Sequence, residues 1–544
     1  MKKRIPTAFL FVTAVIGLVC VVMFGKEKTE LMASRPSGFY DDPFYLELTA
    51  PAGEIYYTLD GSDPDRNGIR YQGPIYIGDA STQENVLSAR EDMDSFEDQY
   101  PDIIMTVAPR QKVDKASIVR VVYYDITGFA SKELCLTYFV GFGEKTGYGD
   151  LKVVSLVSDP DNLTDYETGI LVRGKTYDDN IEGWGSIRAP GNYSNRGREW
   201  EREANFQYFD GSGNMLYESR CGIRITGGWQ RLSAIKSLNL YARKEYGGSK
   251  TFAYDFFGTG LRPHKITLHS GSNDYYGKIQ NQMVSDLTRE LDMGVMHYEG
   301  CVLFLNGEYW GIYDLTEKYD SEYIAQTFSV AKGNVLSVKS GVLENGDEGN
   351  MHLYTEAISF LENADMTQEE NYIRFQALFD EQSLLDLFGT EIYCARNQDW
   401  PNGNIHLWRT VSADGSGAAD GRWRYLMYDL DSAGLTREWI DHDTVQSAMD
   451  ACAYFKSLCR NETFRKKLGA NILRIGREYL SPERVDSYIA DYRIRMAEPM
   501  KTYFLRYFDS DASKFYERLE SNQDFFDNRL EAMVKILQQH DMLP

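Results

Sequence analysis

The stretch from Asn397 to Asp431 gathers the side chains of this sequence best suited to chemistry. Its first half, N-Q-D-W-P-N-G-N-I-H-L-W-R, presents Asp399, Asn402 and Asn404 ahead of the apolar run from Ile405 to Trp408. Its second half, R-W-R-Y-L-M-Y-D-L-D-S-A-G, places Asp429 and Asp431 at the end of an aromatic-rich segment that reads as a strand. Side chains two apart on a strand share a face, so the two carboxylates are expected to point the same way and share a cation. The plainer account of both clusters is a pair of solvated, capped turns, where Asp and Asn are favoured for their local hydrogen bonds.

Two more segments carry charge toward such a site. In C-G-I-R-I-T-G-G-W-Q-R-L-S-A-I-K-S-L-N-L-Y-A, residues 221–242, two strand-like ends flank a glycine turn. Glycines there let backbone N–H groups approach an anion, with Arg224 and Lys236 supplying positive charge. A hairpin with an exposed lysine is the alternative. Further on, C-V-L-F-L-N-G-E-Y-W-G-I-Y-D-L-T-E-K reads as a hairpin turning at Asn306-Gly307, with Glu317 at its far end. A carboxylate so placed could hold Lys236 extended toward phosphates, as a Lys–Glu pair does in protein kinases. Asp399 and Asn404 also have the D-x4-N spacing of a protein-kinase catalytic loop, in which the Asp handles the acceptor proton and the Asn binds a metal. Asp429 then takes the part of the later metal-binding Asp.

These residues need a scaffold, and 544 residues suggest about three units. A hydrophobic fraction of 43% with 38 tyrosines fits a globular chain with a sizeable core. Residues Ile5 to Gly25 form an apolar run long enough to cross a bilayer, with Lys2, Lys3 and Arg4 before it. An uncleaved signal anchor over residues 1–28 is the preferred reading, with a cleaved signal peptide second. The anchor leaves the bulk of the chain outside the cytoplasm, on the outer side of the membrane. The net charge is −23; residues 1–28 carry five basic and one acidic side chain, so the remainder bears −27. Such a body repels nucleic acid and favours cations or basic partners, although solubility alone accounts for much of the acid. Seven cysteines show no ligand spacing and read as scattered buried thiols.

From residue 36 to 142, short alternating segments separated by turn residues predict a β-sandwich. Within it, Y-Y-T-L-D-G-S-D-P followed by Y-Q-G-P-I-Y resembles the Ig-like module at the carboxyl end of chitobiases and hexosaminidases. A charged insert from Ala80 to Lys115 reads as a long loop. The module's Tyr57, Asp60, Gly61 and Pro64 are expected to form turns, and a cell-wall glycan surface is its functional alternative. Residues 150–544 alternate strand and helix patterns. Met351 to Arg396 reads as two helices, and Glu462 to Tyr479, Pro482 to Tyr507 and Asp511 to Gln539 read as a helical cap. The fold class expected is α+β: an anchor, a β-sandwich module, and a mixed kinase-like core with C-terminal helices.

Six motifs in order resemble the spore-coat protein H kinase family (CotH). They are V-V-S-L-V-S-D-P-D-N-L at 153–163, G-R-E-W-E-R at 197–202, I-R-I-T-G-G with K-S-L-N-L within 223–240, L-N-G-E-Y-W-G-I-Y-D-L-T-E at 305–317, N-Q-D-W-P-N-G-N at 397–404 and Y-D-L-D-S at 428–432. The resemblance implies phosphorylation of protein serines, dependent on ATP and on Mg²⁺ or Mn²⁺. Carried over, Asp399 becomes the base that orients the acceptor hydroxyl, Asn404 a metal ligand, and Asp429 the principal metal carboxylate with Asp431 second. Lys236, with Arg224 nearby, contacts the nucleotide, and Glu317 positions Lys236. The glycine-rich loop and D-F-G of conventional kinases are absent from the sequence. A basic, serine-rich protein is the expected acceptor. Two other classes fit the same residues: an inactive surface-binding protein, and a glycosyltransferase using Asp429-Leu430-Asp431 to hold a metal.

Overall fold

The computed structural model describes residues 30–94, 107–142, 147–185, 188–271, 273–396, 400–415 and 417–543. Among these no helix is long and apolar enough to cross a membrane. The anchor expected over residues 1–28 lies outside the described residues, as does Asp399.

The centre of the molecule is a closed barrel of seven strands. In chain order these are β1 (Lys152–Val157), β2 (Arg202–Phe209), β3 (Met215–Thr226), β4 (Ser237–Ala242), β5 (Lys265–His269), β6 (Tyr298–Leu305) and β7 (Glu308–Thr316). Neighbours around the barrel run β1-β2-β3-β4-β5-β7-β6, and a parallel pairing of β1 with β6 closes it. Both β1 and β7 are buried along nearly their whole length, which explains runs such as V-V-S-L-V that are apolar without alternation. The β6–β7 hairpin turns where expected: Asn306 and Gly307 have φ of 46° and 80°, the left-handed pair that a tight hairpin needs.

A second, four-stranded sheet of order β9-β8-β10-β11 stands beside the barrel. Its strands are β8 (Val335–Lys339), β9 (Val342–Asn345), β10 (His406–Thr410) and β11 (Arg424–Leu426). The segment expected to hold two helices holds three, α1 (His352–Asn363), α2 (Glu369–Leu378) and α3 (Glu381–Tyr393). The added break follows from Asp380, whose side chain accepts from Ser383 N and starts α3 afresh. The C-terminal helices α4 (Glu462–Arg474), α5 (Pro482–Phe508) and α6 (Ser513–Gln539) follow the expected pattern. Ser481 caps α5, with Pro482 in its first turn.

The N-terminal module is a five-stranded sheet facing smaller two-stranded ones. It has its own core around Leu46, Val119, Val121 and Tyr138. Its other side joins the main core, where Phe139 packs edge-on against Phe304 of β6. Within the Ala80–Lys115 insert, the described residues 80–94 and 107–115 form a loop that fastens the module to the barrel. The buried Glu308 carboxylate accepts from Val86 N at 2.6 Å and Ser88 N at 2.7 Å, and Ala116 N donates to Gly307 O at 2.8 Å. A Cβ on Gly307 would lie 2.5 Å from Ala116 O, so the hairpin glycine serves both its own turn and the docked module. The six cysteines among the described residues are free, and five of them are buried.

Candidate functional site

The chain just beyond β11 carries the central acids, and it is not the strand the sequence pattern implies. β11 ends at Leu426, Asp429 is left-handed at φ 66° and ψ 54°, and Leu430–Ser432 is a single 3-10 turn. Asp tolerates the left-handed region better than most residues, which makes such a corner possible here. The corner is gripped from both sides: Arg396 donates to Asp429 O, and Leu430 N donates to Asn281 Oδ1 at 2.7 Å. Asp429 and Asp431 therefore converge because the chain coils, and not because a strand alternates.

Around that corner the polar groups close in. Asn404, itself at φ 50°, donates from Nδ2 to Asp429 Oδ2 at 2.8 Å. Asp431 is 2% exposed and accepts from Asn273 Nδ2 at 3.0 Å, with Gln230 Nε2 at 3.5 Å. Burial first, and then the neighbouring Asp429, hold the Asp431 carboxyl well above the usual carboxylate range. His269 at the end of β5 completes the cluster, and His269, Asp429 and Asp431 each offer a ligand atom within 4.8 Å of the others. Burial keeps its imidazole neutral, lowered to about 4. Gly271 N donates to Nδ1 at 3.2 Å, so the neutral ring carries its proton on Nε2, the atom 3.9 Å from Asp431 Oδ2. In that tautomer His269 is a donor, and the oxygen ligands are Asp429, Asp431 and the Asn404 amide. A buried carboxylate, Asp431, beside the half-buried Asp429 whose charge raises it, is a fit for a divalent cation, which takes carboxylate and amide oxygens and relieves that repulsion.

Of these groups Gln230, His269, Asn273, Asn404 and Asp429 line one wall of a cavity of about 810 Å³ between the barrel and the second sheet, and Asp431 is buried next to them. The barrel contributes Ser237, Asn239, Thr267 and His269; the β8–β9 hairpin contributes Lys339 and Glu344. Three ammonium groups, Lys265, Lys318 and Lys339, face it, and among the described residues none forms an ion pair. Burial and then Lys265 lower Lys318 to about 8; burial and then Lys318 lower Lys339 to about 8. Lys339 Nζ sits 3.6 Å from the centroid of the Tyr428 ring, which offsets part of that cost. In a chain of net charge −23, this is a locally cationic chamber facing an acidic corner.

The residues expected from sequence divide accordingly. Asn404, Asp429 and Asp431 come together. Lys236 does not join them: Ser237 and Asn239 face the cavity, so alternation turns Lys236 the other way. It is 3% exposed, its Nζ donates to Arg231 O at 2.9 Å and Ser233 O at 2.6 Å, and burial lowers it to about 7. Nor does Glu317 hold it. Glu317 Oε1 accepts from His297 N at 3.0 Å and contacts His297 Nδ1 at 2.6 Å. Arg224 lies against Glu201, with Nε 3.5 Å from Oε2, and over the Tyr241 ring at 4.0 Å, outside the cavity lining. The lysine that reaches the cavity is the next residue after Glu317 in T-E-K. The alternation that moves Lys236 away and the adjacency of Lys318 to Glu317 were the signals available for it.

Two known family models match the chain. The CotH kinase protein model matches residues 223–533, from β3 through most of α6. An Fn3 associated model matches residues 46–132, so the N-terminal module is an Fn3-associated domain, and the narrower chitobiase-type assignment is not what the match names. A search of curated proteins found no significant match. Since the matched segment is more than half of the 544 residues and contains every cavity-lining residue except Arg188 and Arg196, the chain belongs to the CotH kinase protein family.

Proposed function

We propose that the chain is an atypical protein kinase that transfers the γ-phosphoryl group of ATP to serine hydroxyls of extracytoplasmic proteins. The observation that carries this is the cavity itself, where three lysines without ion-pair partners among the described residues face Asp429 and Asn404, with Asp431 buried beside Asp429. A polyanion satisfies the lysines and, with a cation, the carboxylates as well. A single carboxylate or a neutral glycan would leave most of that charge uncompensated.

In this reading Lys265, Lys318 and Lys339 bind and orient the phosphates, and Asn404 and the two aspartates hold Mg²⁺ or Mn²⁺. The cation supplies charge neutralisation at the phosphate oxygens. The His269 Nε2 proton is directed at Asp431 or at a phosphate oxygen beside it. Asp399 accepts the proton of the attacking serine as its Oγ bonds to the γ-phosphorus and the bond to the β-phosphate oxygen breaks, releasing ADP. Family membership supports the kinase class, and the sequence supports Asp399 in that role. Incubating the full chain with labelled ATP, Mg²⁺ and matched serine peptides flanked by Lys or by Glu tests the proposal. Transfer to the Lys peptide, fading with salt, is expected from the −27 on residues 29–544. Absence of transfer to either peptide, together with absence of autophosphorylation, would count against the kinase.

The lysines also set a pH dependence. Free Lys318 and Lys339 each lie at about 8, and a bound triphosphate raises both by adding negative charge. Binding therefore takes up protons between the free and bound values. ATP affinity should fall as pH rises through 8, by up to about tenfold per unit for each lysine that must protonate. Calorimetry at pH 8.5 in buffers of different ionisation enthalpy should show net proton uptake, whereas a flat affinity from pH 7 to 9 would disagree.

A further inference from the structure

The cavity rim carries one feature that phosphate and metal binding leave unused. Trp229 lines the cavity and is 64% exposed, and among the described residues its ring stacks on no other ring or cation. An indole left in water at the edge of a charged cavity is an exception to the burial its area favours. It is also held in place. Gly227, at φ 106°, turns the chain into it; Gly227 O accepts from Arg231 Nε at 2.8 Å and from Arg196 Nη2 at 3.2 Å. Arg231 is buried and donates to Tyr193 O at 3.0 Å and Asn195 O at 3.1 Å, while Lys236 Nζ ties Arg231 O and Ser233 O from beneath. The loop is thus stapled from its buried side, and a Cβ at Gly228 would meet nothing within 4 Å on its open side.

We infer that Trp229 is the stacking platform for the nucleobase of the bound nucleoside triphosphate, and that Lys236 acts as the positioning residue of the loop that presents it. This rests on the kinase reading above. The adjacent residue, Gln230, reaches Asp431, so the indole stands one residue from the acidic corner, at the opening of the chamber whose lysines take the phosphates. A triphosphate laid along the lysines with its metal on the aspartates leaves its base at that opening. Tyr428, the other aromatic residue of the cavity, already has Lys339 over its ring. Stacking on an aromatic face is tolerant of base identity and is strong enough to show on alanine substitution.

The test compares ATP with inorganic triphosphate, which offers the same charges and no base. In the full chain with Mg²⁺, Trp229→Ala is expected to weaken ATP binding by about tenfold or more in calorimetry. Triphosphate binding should be unchanged, and Trp229→Phe should restore most of the ATP affinity. Tryptophan fluorescence of the unsubstituted chain should be quenched by ATP and not by triphosphate, and the quench should vanish in Trp229→Phe. Equal weakening for ATP and triphosphate would make the loop merely structural and overturn the inference. So would unchanged ATP affinity with a raised KM for the serine peptide, which would place the acceptor on Trp229. If the unsubstituted chain binds triphosphate but not ATP, the inference falls together with the kinase; if it binds both and Trp229→Ala changes neither, only the inference falls.

Discussion

Asp429→Ala is expected to weaken metal-dependent ATP binding by at least ~100-fold, whereas Asp399→Ala leaves that affinity within a few-fold and lowers turnover by about 10²- to 10⁴-fold. The difference follows from position. Asp429 is the carboxylate that Asn404 orients at 2.8 Å and that shares a 4.8 Å cluster with Asp431 and His269, so its loss removes the centre of the cation site. Replacing groups that merely support a metal ligand already costs about 10- to 100-fold in metal affinity, so a ligand should cost no less. A base positions and accepts one proton in the transition state and adds little to ground-state binding. Calorimetry for affinity and labelled-phosphate transfer for turnover separate the two. Equal losses of affinity in both variants would contradict the division of labour.

The second large effect separates two lysines that sequence alone does not. Lys318→Met should weaken ATP binding by about 10- to 100-fold, the worth of a charge-assisted contact to a phosphate, with the melting temperature unchanged or raised. It should be raised if anything, because the substitution relieves repulsion among Lys265, Lys318 and Lys339. Lys236→Met should instead destabilise the fold by about 1–3 kcal/mol, since two carbonyls, Arg231 O and Ser233 O, lose a buried donor. Its effect on ATP should be smaller than that of Lys318→Met and should be felt by ATP more than by inorganic triphosphate, because it acts through the Trp229 loop. Thermal unfolding and calorimetry on the same samples check both. If Lys236→Met abolishes triphosphate binding at unchanged stability while Lys318→Met does nothing, the phosphate contact belongs to Lys236.

What could be read from the sequence was what local rules govern. The Asn306-Gly307 turn and the C-terminal helices each depend on residues a few positions apart, and the structure has them in place. The acids at 429 and 431 could be singled out by type and spacing, but their geometry could not: the left-handed corner depends on Arg396 and Asn281, which are remote in sequence. Lys236 shows the cost of a one-residue ambiguity. Whether Lys236 or Ser237 faces the ligand depends on which side of β4 is the barrel interior, and a short strand that is buried on both faces does not announce it. Lys265 and Lys339 come from strands of different sheets, and only the meeting of the barrel with the β8–β9 hairpin makes them neighbours. The same holds for the Glu308 carboxylate, whose partners Val86 and Ser88 lie more than two hundred residues away.

The most direct test of the central claim is a calorimetric titration of the full chain with ATP, in the presence and absence of Mg²⁺ or Mn²⁺, with a sugar nucleotide as competitor. One ATP site is expected, whose affinity depends on the cation and which the sugar nucleotide fails to occupy at comparable concentration. Binding of the sugar nucleotide in preference to ATP would contradict it and assign the acidic corner to glycosyl transfer, and no cation-dependent nucleotide binding at all would contradict it in favour of a surface-binding protein.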